Sequence, residues 1–159
     1  MKRIVPILII VLVVISSVSA FADECYILCN PSDYINIRMT PSSNGVVVGR
    51  FDCGDSFETD WKTRKDKKGK TWVHVINMHL ESTDAWVCKN FVQETPVVIG
   101  TDYITVDKNG RTAVRKYPNG KVRKWVENGD ELRMLARSDE WAFTTYGYIR
   151  LDCVEGYHE

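Results

Sequence analysis

From Cys25 onward the apolar residues come in short β-branched and aromatic runs, broken by Gly, Pro, Asn or Asp at intervals of about ten residues. This pattern predicts strands and turns. Runs fall at residues 26–28, 34–39, 46–51, 56–60, 71–76, 85–87 and 91–92, and no stretch carries the 3.6-residue period of a useful amphipathic helix. In the run 71–76, Trp72, His74 and Ile76 alternate with Thr71, Val73 and Val75, so both faces are largely apolar and the strand is expected to be covered on each side.

After Gln93-Glu94-Thr95-Pro96 the pattern begins again, with runs at 103–106, 112–116, 121–126, 131–136, 141–145 and 147–151. Asn109-Gly110, Asn119-Gly120 and Asn128-Gly129 punctuate this second half, each offering a residue that tolerates positive φ in a tight turn.

The two halves align. Ile37-Arg38-Met39-Thr40-Pro41 matches Val114-Arg115-Lys116-Tyr117-Pro118, and the block from Arg50 to Phe57 matches the block from Trp125 to Leu132. A loop at Ser42–Gly45, shortened to Asn119-Gly120 in the second copy, accounts for the difference in spacing. A repeated all-β unit of about 60 residues is the expected organisation. Module one is expected at 23–94, a linker at 95–102 and a more degenerate module two at 103–159.

At Asn36-Ile37-Arg38-Met39-Thr40-Pro41, Val48-Gly49-Arg50-Phe51, Gly54-Asp55 and Ala85-Trp86-Val87 the chain resembles the bacterial SH3 (SH3b) family. In the second copy Ala113-Val114-Arg115, Lys124 and Gly147-Tyr148-Ile149 stand at the corresponding places. The resemblance implies two tandem SH3-like small β-barrels. It also implies a binding, targeting or scaffold role of the kind such modules serve beside peptidoglycan hydrolases, with cell-wall peptidoglycan, another surface polymer or a surface protein as partner.

Each motif has a physical use of its own. Gly54-Asp55 and Gly129-Asp130 suit a turn in which the glycine takes positive φ. Arg38 and Arg115 follow a buried-type residue in an alternating strand, so each guanidinium is expected at the surface or on a loop carbonyl.

The first residues alter where this chain is expected to work. Lys2-Arg3, an apolar run from Ile4 to Ile15 and the Ala20-Phe21-Ala22 ending have the order of a secretory signal, with cleavage expected after Ala22. The rival is an uncleaved anchor, because Ile4 to Ala22 nearly reaches the ~20 apolar residues a bilayer span needs. Cleavage is favoured, and the protein is expected to be secreted or held at the cell envelope.

Charge then narrows the partners. The 159-residue chain has 21 basic and 21 acidic residues, and loss of Lys2 and Arg3 from the 21 leaves 19 bases. Such balance gives no reason to expect a nucleic-acid partner. A local exception runs from Lys62 to Lys70, where six basic residues face one acid; a solvated hairpin tip is the first expectation and attraction to an anionic polymer the second.

Cys25, Cys29, Cys53, Cys88 and Cys153 are all disulfide candidates in an oxidising compartment, with one necessarily left over or paired between chains; a bridge between two of the first-module cysteines Cys29, Cys53 and Cys88 is expected, with Cys88 foremost. Buried small hydrophobes are the alternative for each. His74 and His79 do not make the close ligand pairs of a zinc site, so no metal or cofactor is expected. No cysteine stands in the helix-and-sheet context of a cysteine peptidase, and no Gly-rich phosphate loop occurs, so no enzyme is expected. The ligand-contact candidates are Tyr34, Asn36, Arg38, Trp61, Trp72 and Trp86, chosen from the first module's motif and from aromatics that can stack on sugar rings or peptide planes; burial in the core is the alternative for Trp72 and Trp86, which lie in apolar strands, and Trp61 beside the charged loop is the better surface candidate. Oligomeric state is not legible in these patterns.

Overall fold

The computed structural model describes residues 22–76 and 84–157. It is all-β, with three antiparallel sheets. In the first half β1 (Asp23–Ile27) lies between β4 (Ser56–Thr59) and β8 (Val92–Gln93). A five-stranded sheet orders β3 (Val47–Asp52), β2 (Tyr34–Arg38), β7 (Ala85–Cys88), β6 (Thr71–Val75) and β5 (Thr63–Lys65). The second half is a six-stranded sheet: β11 (Val122–Glu127), β10 (Arg111–Arg115), β14 (Gly147–Arg150), β13 (Trp141–Thr144), β12 (Glu131–Arg137) and β9 (Val98–Thr105). Among the described residues no sheet closes on itself, and the only helical pieces are single 3-10 turns at Lys89–Phe91 and Leu151–Cys153.

The sequence repeat is a repeat of hydrogen bonds. β2 pairs β3 with Asn36 opposite Arg50 and a register break between Ile37 and Arg38; β10 pairs β11 with Ala113 opposite Trp125 and the same break between Val114 and Arg115. Arg38 then pairs with Trp86, and Arg115 with Tyr148. At the following turn Gly54 (φ 88°) donates its N–H to the Ile27 carbonyl at 2.8 Å, and Gly129 (φ 85°) to the Val106 carbonyl at 2.7 Å. The next aspartate closes each turn, Asp55 accepting from Asp52 N–H at 2.7 Å and Asp130 from Glu127 N–H at 2.9 Å. Only glycine takes this φ without a Cβ penalty, which is why the Gly-Asp pair recurs.

In the shorter second-copy loop the left-handed residue is Asn119 (φ 57°), one position before the glycine. Asparagine tolerates that region better than other side chains.

Strand 71–75 behaves as its two apolar faces require, with Trp72, Val73, His74 and Val75 all buried. The expected linker 95–102 is different: from Val98 onward it is strand, and β9 pairs along β12 from Val98 opposite Arg137 to Thr105 opposite Glu131. Six of its eight residues are exposed, the apolar Val98, Ile99 and Tyr103 among them, so no alternation of apolar and polar positions marks it.

One core lies within the second half, around Ile104, Val114, Leu132, Ile149 and Leu151. Another joins the halves: Ala136, Trp141 and Tyr148 pack with Cys25, Ile27, Leu28, Phe57 and Val87 of the first. Burying Trp141 and Tyr148 there contributes roughly 1.5–3 kcal/mol each from apolar area alone. Polar ties accompany it, with Ser138 Oγ donating to Gln93 Oε1 at 3.0 Å and Asp139 N–H to Thr95 Oγ1 at 3.3 Å.

Candidate functional site

Period-two geometry puts Ile35 and Ile37 on one face of β2 and Tyr34, Asn36 and Arg38 on the other. The second face opens onto a groove of about 240 Å³ that continues over the adjoining strands to Cys88 and Trp72, with Lys70, Ser43 and Phe91 at its edges. Four of the six residues named from sequence as ligand contacts, Tyr34, Asn36, Arg38 and Trp72, thus meet in one place.

The walls are held by local chemistry. The Arg50 guanidinium lies over the Tyr34 ring at 4.5 Å. Arg38 Nη1 donates to the Gly45 carbonyl at 2.6 Å, the loop tie expected of it, and Arg115 does the same to Gly120 at 2.8 Å. Lys70 Nζ reaches Ser43 Oγ at 3.4 Å and stands 5.8 Å from the Trp72 ring. The Trp72 indole N–H donates to Asp66 Oδ2 at 3.3 Å. Desolvation pushes the Asp66 carboxyl up, but hydrogen bonds from the Lys70 backbone, Trp72 and the Lys68 backbone outweigh it and hold the group below its ordinary range. Its charge therefore stays in place to fix the lysine-rich turn and the indole.

The floor is not nucleophilic. Burial pushes the Cys88 thiol up, and a protonated thiol attacks poorly. Arginine, lysine, asparagine and the exposed Tyr34 ring remain on offer, a set suited to stacking on a sugar or peptide plane while compensating negative charge.

A groove of about 250 Å³ occupies the equivalent place in the second half, lined by Arg111, Ala113, Arg115, Trp125, Arg150 and Cys153 among others. Here Arg111 lies over Trp125 at 4.5 Å. By strand register Arg111 stands where Tyr34 does and Trp125 where Arg50 does, so one cation–π contact is kept with its two partners exchanged between strands. Arg150 is paired to Asp152 at 3.3 Å.

Trp61 and Trp86, the other two candidates, do not line the groove, although Trp86 packs with its Trp72, Cys88 and Phe91. Trp61 is half-buried at positive φ (55°), its indole N–H donating to Asp23 Oδ2 at 2.6 Å. Trp86 is buried between the His74 ring at 5.1 Å and the Arg64 guanidinium at 5.3 Å. Sequence reasoning missed Lys70, Arg50 and Phe91 as neighbours of Tyr34 and Trp72. The Tyr34–Arg50 contact follows from the hairpin, since Arg50 sits opposite Asn36; the approach of Phe91 and Lys70 comes from the order of strands across the sheet and left no local signal.

His74 heads a separate polar cluster. Its Nδ1 is 3.0 Å from Asp60 Oδ1, its Nε2 is 3.7 Å from Asp84 Oδ1, and Lys62 Nζ contacts Asp60 Oδ2 at 2.7 Å. Among the described residues no group of three or more His, Cys, Asp or Glu could hold a metal ion. His79 and His158 lie outside the described residues, as do residues 1–21 of the signal expected at 1–22.

All five cysteines are free, buried thiols. Burial first, then nearby carboxylates, pushes Cys25 up to about 11. Cys29 and Cys53 are neighbours, whereas Cys88 packs with Trp72 and Trp86, and Cys153 sits beside Asp152.

No family model matches the chain, and no curated protein sequence does. Among solved structures, NlpC1 from Trichomonas vaginalis aligns at 15% identity over 88% of this chain and 48% of its own, with a TM-score of 0.32. NlpC2 from the same organism aligns at 12% identity over 86% of this chain and 48% of its own, with a TM-score of 0.30. This chain thus spans about half the length of those proteins, and TM-scores of this size define neither a shared fold nor a shared activity.

Proposed function

We propose that the chain is an exported, non-catalytic binding protein of two tandem SH3-like units, and that the first unit holds an anionic cell-surface glycan polymer in the groove beside β2. The observation that carries this is the convergence of Tyr34, Asn36, Arg38 and Trp72, with Lys70 and Phe91, on one concave surface. The exposed Tyr34 ring suits a sugar ring, with buried Trp72 forming the floor beneath it, the asparagine amide suits hydroxyl or acetamido groups, and Lys70 suits a phosphate or carboxylate. The repeated hairpin, Gly-Asp turn and arginine–carbonyl tie support the tandem organisation, and the signal-like order of Lys2 to Ala22 supports export. The groove is small, so it takes a segment of a polymer rather than a whole ligand.

The groove predicts retention on purified bacterial cell wall that weakens with salt. Tyr34→Ala and Lys70→Glu are expected to lower retention at least tenfold while Trp125→Ala in the second half leaves it within twofold. Walls stripped of their anionic secondary polymer, run beside intact walls, separate glycan backbone from appended polymer. Absence of retention in both arms overturns the proposal.

A further inference from the structure

Two buried thiols from different parts of the first half face each other where the second half docks. Cys29 follows β1, and Cys53 begins the turn after β3. Cys29 N–H donates to Cys53 Sγ at 3.5 Å, and Cys53 S–H donates to the Cys29 carbonyl at 3.0 Å. The Cys29 S–H itself turns to the Asn30 and Asp33 carbonyls at 3.6 and 3.9 Å. Cys29 and Cys53 are 2% and 6% exposed, so their approach is set by the packed core and not by a mobile surface.

We propose that Cys29 and Cys53 form a disulfide clasp that fastens the segment after β1 to the β3–β4 turn and so fixes the surface on which the second half rests. The remaining cysteines have no such neighbour: Cys25 lies in the β1–β4 pairing opposite Phe57, Cys88 in the tryptophan cluster, and Cys153 in the other half beside Asp152. The clasp does not depend on the groove having a ligand.

Geometry and electrostatics give the two sulfurs different roles. The hydrogen bond to Cys53 first, then burial and the charges of Asp33 and Asp52, push Cys29 up. The bond from Cys29 holds Cys53 down against its own burial, and Cys53 is the more exposed of the two, at 6% against 2%, which makes it the sulfur an oxidant reaches first. With a low-molecular-weight disulfide as oxidant, the Cys53 thiolate attacks one sulfur of that disulfide and expels the other half as a thiolate, which takes up the proton Cys53 lost. The Cys29 sulfur, losing its proton to the second leaving thiolate, then attacks the Cys53 sulfur of the mixed disulfide. The S–S bond forms between Cys29 and Cys53, the chain loses two electrons and two protons, and the oxidant becomes two thiols.

The location ties the bond to the join between halves. Tyr148 Oη, from β14, donates to the Leu28 carbonyl at 3.0 Å, one residue before Cys29. Tyr148 is buried in the same core cluster as Cys29 and Cys53, and burial, then the nearby thiols, push its phenol up. A bridge closes a loop that spans 24 positions from Cys29 to Cys53, long enough to remove appreciable entropy from the unfolded chain.

The test equilibrates the purified full chain with oxidised glutathione, alkylates it under denaturing conditions and digests it with trypsin without reduction. Arg38 and Arg50 lie between the two cysteines, so a bridge joins two tryptic peptides, and fragmentation between Cys25 and Cys29 assigns the sulfur. The expected product links Cys29 to Cys53, leaves Cys25, Cys88 and Cys153 alkylated, and raises the thermal midpoint by about 10 °C over the glutathione-reduced protein. A triple variant, Cys25→Ala, Cys88→Ala and Cys153→Ala, is expected to form the same bridge. Five alkylated cysteines in oxidised wild type, a dominant bridge to any other cysteine, or a midpoint that does not rise when the bridge is present would each overturn the proposal. The wild-type map decides the matter even if the triple variant fails to fold.

Discussion

The Tyr148 hydroxyl donates to the Leu28 carbonyl at 3.0 Å across 120 positions of sequence. Tyr148 is the second-half counterpart of Trp86, since each faces the arginine of its own hairpin motif. One copy thus spends this position within its own half, and the other uses it to join the halves. Tyr148→Phe keeps the ring and leaves the buried carbonyl without its donor, a cost expected at about 1–3 kcal/mol. Chemical denaturation of the variant beside wild type measures it; an unchanged midpoint would mean that water replaces the hydroxyl.

Gly54 and Gly129 hold equivalent turns at φ 88° and 85°. A Cβ at Gly129 meets nothing within 4 Å, so Gly129→Ala isolates the cost of the backbone conformation, expected at about 1–2 kcal/mol. At Gly54 the added carbon stands 3.2 Å from Ile99 Cδ1, so Gly54→Ala is expected to cost no less. Thermal or urea unfolding of the pair gives the comparison, and a neutral Gly129→Ala would contradict the turn geometry.

Arg38→Met removes the donor to the Gly45 carbonyl while keeping much of the side chain's length. The expected result is a loss of about 1 kcal/mol and faster amide exchange at Gly45, whose N–H bonds to the Ser42 carbonyl at 3.0 Å within the same loop. Arg115→Met should act alike on the Tyr117–Gly120 turn. Exchange rates by NMR would show whether each arginine fastens only its own loop.

Acid should act through Asp60. Partial burial pushes its carboxyl up, but hydrogen bonds from Lys62 and His74 outweigh this and hold it down at about 2. A carboxyl depressed on folding contributes stability that is fully present above its unfolded value, about 3.9, and lost as pH falls through the folded one. Stability of wild type should therefore fall between about pH 4 and pH 2 more steeply than that of Asp60→Asn, as read from denaturation midpoints across that range.

Much of this molecule could be read from local pattern. Alternation in 34–38 and 71–75, the Gly-Asp turns and the matched arginine blocks report short-range physics: strand periodicity, positive φ and a side chain reaching its own loop. The same locality puts Tyr34, Asn36 and Arg38 on one face of β2, whereas Trp72 reaches their groove only through the order of strands across the sheet. β9 was not legible over 98–102, because that exposed segment gains its order from pairing with β12 rather than from apolar alternation. Trp61 and Trp86 drew attention as large aromatics, yet composition cannot say which side of a sheet a ring faces or what covers it.

The chain's pattern by itself determined an all-β protein built on a repeat, with two copies of one turn and one arginine tie, because those features depend on contacts within a few residues or between adjacent strands. Tertiary structure alone decided that the halves share a core through Trp141 and Tyr148, that Lys70 and Phe91 complete the groove, and that among five cysteines Cys29 meets Cys53. Each of these depends on how sheets stack and which strand lies beside which. Such relations are set by the summed burial of many side chains, and no single segment encodes them.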